Sequence, residues 1–264
     1  MSEQPQVFSN RWADAAAPGD RDASHDQCDC LPRSRRAPAR PVGFHSERQD
    51  TTAPGWLRLL DLVEEAAADG REVFQPLTEL TAQERRQVVT LPPTVAKLTA
   101  VKHLGLYGSN LVRLPPEVGA MTSLEEFTPY TSYRLHWFPY ELTRCRGLRR
   151  STVSTRAVYG NFKYRPPFPA LSAGPGGATG LDLGDLDPRV SGATAIRTCS
   201  VCDRGFDGAG LRQVWISGRV GADVLPLLVN ACSAACVAAL PAPAGGYVPA
   251  PHTGGPGLVQ PDAC

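Results

Sequence analysis

Four cysteines have the side-chain chemistry and the spacing to hold a metal ion. TCSVCDRGF carries Cys199 and Cys202 as a C-x2-C pair, and NACSAACVAAL carries Cys232 and Cys236 as a C-x3-C pair. Thiolates are soft donors. Two on a tight turn and two on the first turn of a helix can converge on one tetrahedral ion, for which zinc is the expected occupant. With sulfur at all four corners, no position is left for water or substrate, so such a metal stabilises the fold and does no catalysis. A redox-active dithiol and ordinary core cysteines are the competing readings.

The elements that must position these thiols can be read around them. Gly205 permits the turn after the first pair. QVWISGRV, with Val214, Ile216 and a turn at Gly218, reads as strand and hairpin. Asn230 stands where it could cap the helix bearing Cys232 and Cys236. Knuckle, hairpin and helix together resemble a treble-clef zinc finger of the FCS-like type, with Ala231 where that family has an aromatic residue. A domain over 196–240 is too small to be stable on its own core, so metal binding is expected to complete it.

The chain has 264 residues, 42% of them hydrophobic, with 25 Gly and 25 Pro placed unevenly. A net charge of +1 excludes a global field drawing the protein to nucleic acid or membrane. No basic region followed by an apolar one opens the chain, and no apolar stretch is long enough to cross a bilayer, so a cytoplasmic location with reduced thiols is expected. Residues 1–50, with His25, Cys28 and Cys30 scattered among Pro, Ser and Arg, read as a disordered arm. Trp56, Leu59, Leu60, Val63 and Ala67 predict a helix over 54–69 closed by Gly70, and a second helix is predicted near 79–89. Residues 169–195 have the composition of a linker and 241–264 that of a flexible tail. Gly174 to Gly180 lacks the Lys and Ser/Thr of a phosphate loop, and Asp182, Asp185 and Asp187 do not match a calcium loop. His103, His136 and His252 accompany no nucleophile motif, so no enzyme is expected.

Between these regions the chain repeats itself. LPPTVAKLTAVKHLGLYGSNLVR begins at Leu91, LPPEVGAMTSLEEFTPYTSYRLHW at Leu114, and FPYELTRCRGLRR at Phe138. The expected buried positions align as Val95, Val118 and Leu142; Leu98, Met121 and Cys145; Val101, Leu124 and Leu148; Leu104, Phe127 and Ser151. Cys145 is thereby read as a small buried hydrophobe. This pattern, with Asn110 at a turn, resembles the leucine-rich-repeat family, and its combination with a trailing cysteine domain resembles a group of bacterial proteins of that kind. The resemblance implies an α/β repeat: a short leucine-rich-repeat solenoid over 51–168 with a helical N-terminal cap, followed by a small zinc-stapled α+β domain. The aromatic stretch 159–168 is expected to cap the far end.

Strand residues alternate inward and outward. Leu104, Leu106, Phe127 and Val153 are expected inside; His103, Gly105, Tyr107, Glu126, Thr128, Tyr130, Arg150, Thr152 and Ser154 are expected outside. Leucine-rich-repeat proteins bind partners through that outer face, so the resemblance implies a protein-binding module with a protein partner. A second reading is nucleic-acid binding. Arg144, Arg146, Arg149, Arg150, Arg156, Lys163 and Arg165 run through 144–165 with no acidic residue, interleaved with Tyr159, Phe162 and Tyr164. A third is an enzyme with its site in the aromatic segment 127–140.

Overall fold

The computed structural model describes residues 42–45, 47–154, 157–171, 196–206 and 211–262. Helix α1 (Pro54–Asp69) begins with Pro54, whose missing N–H costs nothing at a helix start, and stops at Gly70, which takes the left-handed conformation at φ 65. Trp56, Leu59, Leu62, Val63 and Ala66 bury one face of it. Helix α2 (Ala82–Gln87) is shorter than the predicted 79–89 and buries none of its residues. It is started by a reciprocal cap, with Thr81 Oγ1 accepting from the Glu84 N–H and the Glu84 carboxylate accepting from the Thr81 N–H.

A two-residue strand, β1 (Val73–Phe74), lies between the helices. It forms one edge of a parallel sheet with β2 (His103–Gly105), β3 (Glu126–Thr128) and β5 (Arg150–Ser151), in the order β1-β2-β3-β5. The register places Val73, His103, Glu126 and Arg150 side by side. From β2 onward the strands therefore recur at the interval at which the buried positions recur in the sequence. The chain returns through 3-10 turns at Pro93–Lys97, Pro116–Ala120 and Tyr140–Arg144, which bury Val95, Val118 and Leu142.

A second sheet is mixed. The hairpin of β6 (Arg212–Val220) and β7 (Asp223–Ala231) is antiparallel, and β4 (Phe138–Pro139) runs parallel to β7 in the order β4-β7-β6. The hairpin turns at Gly221, φ 59, and not at Gly218. Gly218 lies within β6, where an added Cβ would sit 2.6 Å from Leu227 Cδ1. The short helix α3 (Ala234–Ala238) follows β7.

The expected fold class is corrected by this arrangement. A four-stranded parallel sheet and a mixed three-stranded sheet, with three α-helices among the described residues, are not a helically capped solenoid followed by a zinc-stapled unit of its own. Where a helical cap was expected, the sheet ends on strand β1, because Phe74 is completely buried in the core. The third repeat begins in β4, which joins the hairpin between the two cysteine pairs, so one hydrophobic cluster runs from Ala53 to Cys236. The aromatic stretch 159–168 does not cap the parallel sheet either. Tyr159 and Phe168 pack on Trp215 at 5.9 and 5.7 Å. At β5 the sheet meets the β6–β7 turn, where Ser151 Oγ accepts from the Ala222 N–H (3.0 Å) and donates to Asp223 Oδ2 (2.6 Å).

The ends of the described chain are packed as well. Phe44, in the segment assigned to the arm, lies against Trp137 and Trp215. In the segment assigned to the tail, Val248 is buried and His252 exchanges two backbone hydrogen bonds with Trp215. His25, Cys28, Cys30, Arg156, the 174–180 glycines and Asp182, Asp185 and Asp187 lie outside the described residues. No helix among the described residues is long and apolar enough to cross a membrane.

Candidate metal centre and exposed sheet face

The structure brings Cys199, Cys202, Cys232 and Cys236 together, with all four sulfurs within 4.8 Å of one another. Cys202 Sγ and Cys236 Sγ each lie 3.6 Å from Cys232 Sγ. A disulfide needs about 2.0 Å. Metal–sulfur bonds of about 2.3 Å place the corners of a tetrahedron about 3.8 Å apart, and the two 3.6 Å separations are close to that. The four side chains could hold one metal ion.

Each thiol is aimed by local hydrogen bonding. Thr198 bridges Gly205, Cys199 N–H donates to Arg204 O (2.8 Å), and Asp203 N–H donates to Cys199 O (3.0 Å) with Asp203 at φ 61. That closes the knuckle. Ser200 joins it to β7: Ser200 N–H donates to Asn230 O (2.8 Å) and Ser200 Oγ accepts from Asn230 N–H (3.0 Å). The helix cap is Ser233, whose Oγ accepts from Cys236 N–H (3.1 Å), while the Asn230 side chain accepts from Gln213 Nε2 on the neighbouring strand. Asn230 is thus a strand residue and not the cap. Cys199 Sγ accepts from the backbone N–H groups of Val201 and Cys232, both at 3.4 Å.

Two thiols of the cluster are perturbed in opposite directions. Donation by the Arg204 backbone N–H lowers the Cys202 thiol to about 6. Neighbouring sulfurs push Cys232 up to about 12. Between sulfurs this close, one negative charge disfavours the next, and a central cation would remove that penalty.

Two residues that sequence reasoning did not single out for the centre support it. Arg144, expected in a basic nucleic-acid track, donates to Ser200 O (2.9 Å) and Asp203 Oδ1 (2.6 Å). Glu141 is buried beneath the knuckle; burial raises its pKa and a hydrogen bond from Ser200 opposes the rise. A carboxylate in a repeat and a serine between two cysteines carry no local sign of that contact. Cys145 lies elsewhere, buried, with its Sγ 3.4 Å from Val118 O and its thiol raised to about 11 by desolvation.

On the parallel sheet, Leu104, Leu106, Phe127 and Val153 are buried, while His103, Tyr107, Glu126, Thr128, Tyr130, Arg150 and Thr152 keep solvent exposure; Gly105 and Ser154, expected outside, are buried, and Leu148 and Ser151, expected inside, are only partly buried. The outward residues touch one another. Arg150 pairs with Glu126 at 2.6 Å, His103 Nε2 lies 3.1 Å from Thr128 Oγ1, and the Tyr107 and Tyr130 rings are 5.9 Å apart. Both tyrosines stay nearly half exposed, 45% and 44%. Beneath the loops that follow, Ser109 Oγ donates to Ser132 Oγ (2.7 Å), which donates to Leu106 O (2.8 Å). Asn110, expected to satisfy the turn, instead donates to Arg85 O at 3.4 Å.

The segment 144–165 is less available than its composition suggests. Arg165 donates to Gly160 O and Gly246 O, and Tyr159 is buried. Arg146, Arg149, Arg150 and Lys163 are exposed. In the aromatic segment 127–140, Phe127, Trp137 and Phe138 are core residues. No family model matches the chain, and no curated protein matches it.

Proposed function

We propose that this protein is a protein-binding module that presents the outward face of its parallel sheet to a partner and holds a structural zinc ion in its four-cysteine centre. The observation that carries the reading is the paired, half-exposed Tyr107 and Tyr130 above the His103–Glu126–Arg150 row. Tyrosines and arginines dominate the energetics of protein interfaces, because they bring large contact area together with directed hydrogen bonds. The resemblance of the repeats to leucine-rich repeats, which engage partners through outward strand residues, points the same way. Zinc follows from the donor set: four cysteine sulfurs within 4.8 Å of one another suit this ion and, with all four bound, leave no open coordination position.

Purified protein should therefore contain one zinc per chain. In affinity capture, the wild-type chain should enrich a specific protein that Tyr107→Ala/Tyr130→Ala fails to enrich at equal zinc content. Equal capture by both would remove the sheet face from the function. Nucleic-acid binding through Arg146, Arg149, Arg150 and Lys163 is the second reading, and its mark would be affinity for single-stranded RNA that falls steeply with salt.

A further inference from the structure

Residues 42–45 and 47–49 cross a surface that is neither the metal centre nor the exposed sheet face. The Phe44 ring stacks on Trp215 at 5.6 Å and meets Trp137 edge-on at 5.7 Å. Tyr159 Oη donates to Gly43 O (3.2 Å) and Arg113 Nη2 donates to His45 O (2.7 Å). His45 Nε2 and His136 Nε2 are 3.2 Å apart, and Arg134 pairs with the Glu47 carboxylate. Gln49 then ties the segment to Gln87 O and the Val89 N–H.

These contacts are those of a bound peptide. The segment adds no strand to either sheet, and each hydrogen bond named above has a side chain at one end. One aromatic anchor fills an aromatic box, two main-chain carbonyls are read by side-chain donors, and one carboxylate meets a guanidinium. The groove is also richer in positive charge than its occupant requires. Arg113, 3% exposed, and Arg134 converge on a stretch whose nearby carboxylate is Glu47, and Arg113 Nε is buried without a hydrogen-bond partner. A buried guanidinium donor left over marks capacity for a further acceptor.

We propose that the groove lined by Arg113, Arg134, His136, Trp137, Tyr159 and Trp215 is a recognition site for extended peptides in which an aromatic residue is followed three positions later by a carboxylate. The chain's own Phe44 and Glu47 fill it in cis as a displaceable, autoinhibitory ligand. A tethered segment competes at an effective concentration on the order of millimolar, so an incoming peptide binds weakly until the strap is loosened.

The test uses the full chain and a fluorescein-labelled peptide of residues 40–50, RPVGFHSERQD, followed by fluorescence anisotropy. Phe44→Ala/Glu47→Ala should bind this probe at least tenfold more tightly than wild type, and Glu47→Gln alone should show a smaller gain in the same direction. Replacing Phe by Ala in the probe, or adding Arg134→Gln to the loosened chain, should abolish binding. Tyr107→Ala/Tyr130→Ala should leave it unchanged, which separates failure here from failure of the sheet-face reading. Equal, weak binding by wild type and both strap variants would overturn the proposal. So would unfolding of both variants, because the strap would then be core. A wild-type dimer that the probe converts to monomer would make a second copy the occupant and likewise overturn it.

Discussion

At the scale of single residues, the four centre cysteines differ from the fifth described one by environment and not by type. Cys199 is fully buried yet accepts two backbone N–H groups, while Cys145 is buried against apolar neighbours and its thiol is raised. N–H donors and a cation favour thiolate; apolar surroundings favour thiol. Cys199→Ser should reduce metal content from about one equivalent to near zero, measured by atomic emission on the purified chain. Cys145→Ala should keep the metal and cost about 1 kcal/mol, the scale of a small deletion in a packed core. Metal retained by Cys199→Ser would remove that residue from the ligand set. The spacing of the four cysteines made them legible as a set, because ligands on a turn and a helix start are close in sequence. Glu141 and Arg144 were not legible as their supports, since each meets the knuckle more than fifty residues away along the chain.

At the scale of elements, close approach of backbones decides what neighbouring sequence cannot. Gly55, at the start of α1, faces α2: a Cβ there would lie 2.3 Å from Glu84 O. Gly55→Ala improves intrinsic helix propensity by up to about 1 kcal/mol, but the clash is with backbone and forces α1 and α2 apart. The net effect should be a loss of about 1–3 kcal/mol, read as a melting temperature lower by roughly 5 °C. An unchanged or higher value would show that α2 yields freely. The long apolar face of α1 was readable because it repeats over sixteen residues. Strands β1 and β4 are two residues each and too short to display a period. That is why the N-terminal region read as wholly helical and the third repeat as a continuation of the second.

At the scale of the molecule, three histidines are folded into low-polarity surroundings. Burial lowers His45 to about 4, His136 to about 3 and His252 to about 4. In the unfolded chain they take up protons near 6.5. The stability they permit is therefore complete above pH 6.5 and is lost progressively as pH falls from 6.5 toward 4, where the unfolded state binds more protons than the folded one. Scanning calorimetry at pH 7.5, 6, 5 and 4 should show a falling melting temperature, with metal release followed in parallel to separate thiolate protonation. A flat profile over that window would place these imidazoles in contact with solvent. Because β4 and β7 pair and share one core, removing the metal should weaken the whole structure in one transition.

The amino-acid sequence by itself determined the four-cysteine set, the recurrence of buried positions every 23 or 24 residues, and which side chains of the first two repeats face inward; in the third, Leu148 and Ser151 are only partly buried. These are local properties: ligand spacing, strand alternation and repeat period are written in residues that lie close together. Only the tertiary structure decided that Phe138 pairs with Leu227, that Phe74 joins the sheet, and that Phe44 fills a groove between two tryptophans. Each of those outcomes depends on complementary surfaces from segments far apart in the chain. Such fit is settled when the segments meet, and no single stretch of residues carries it.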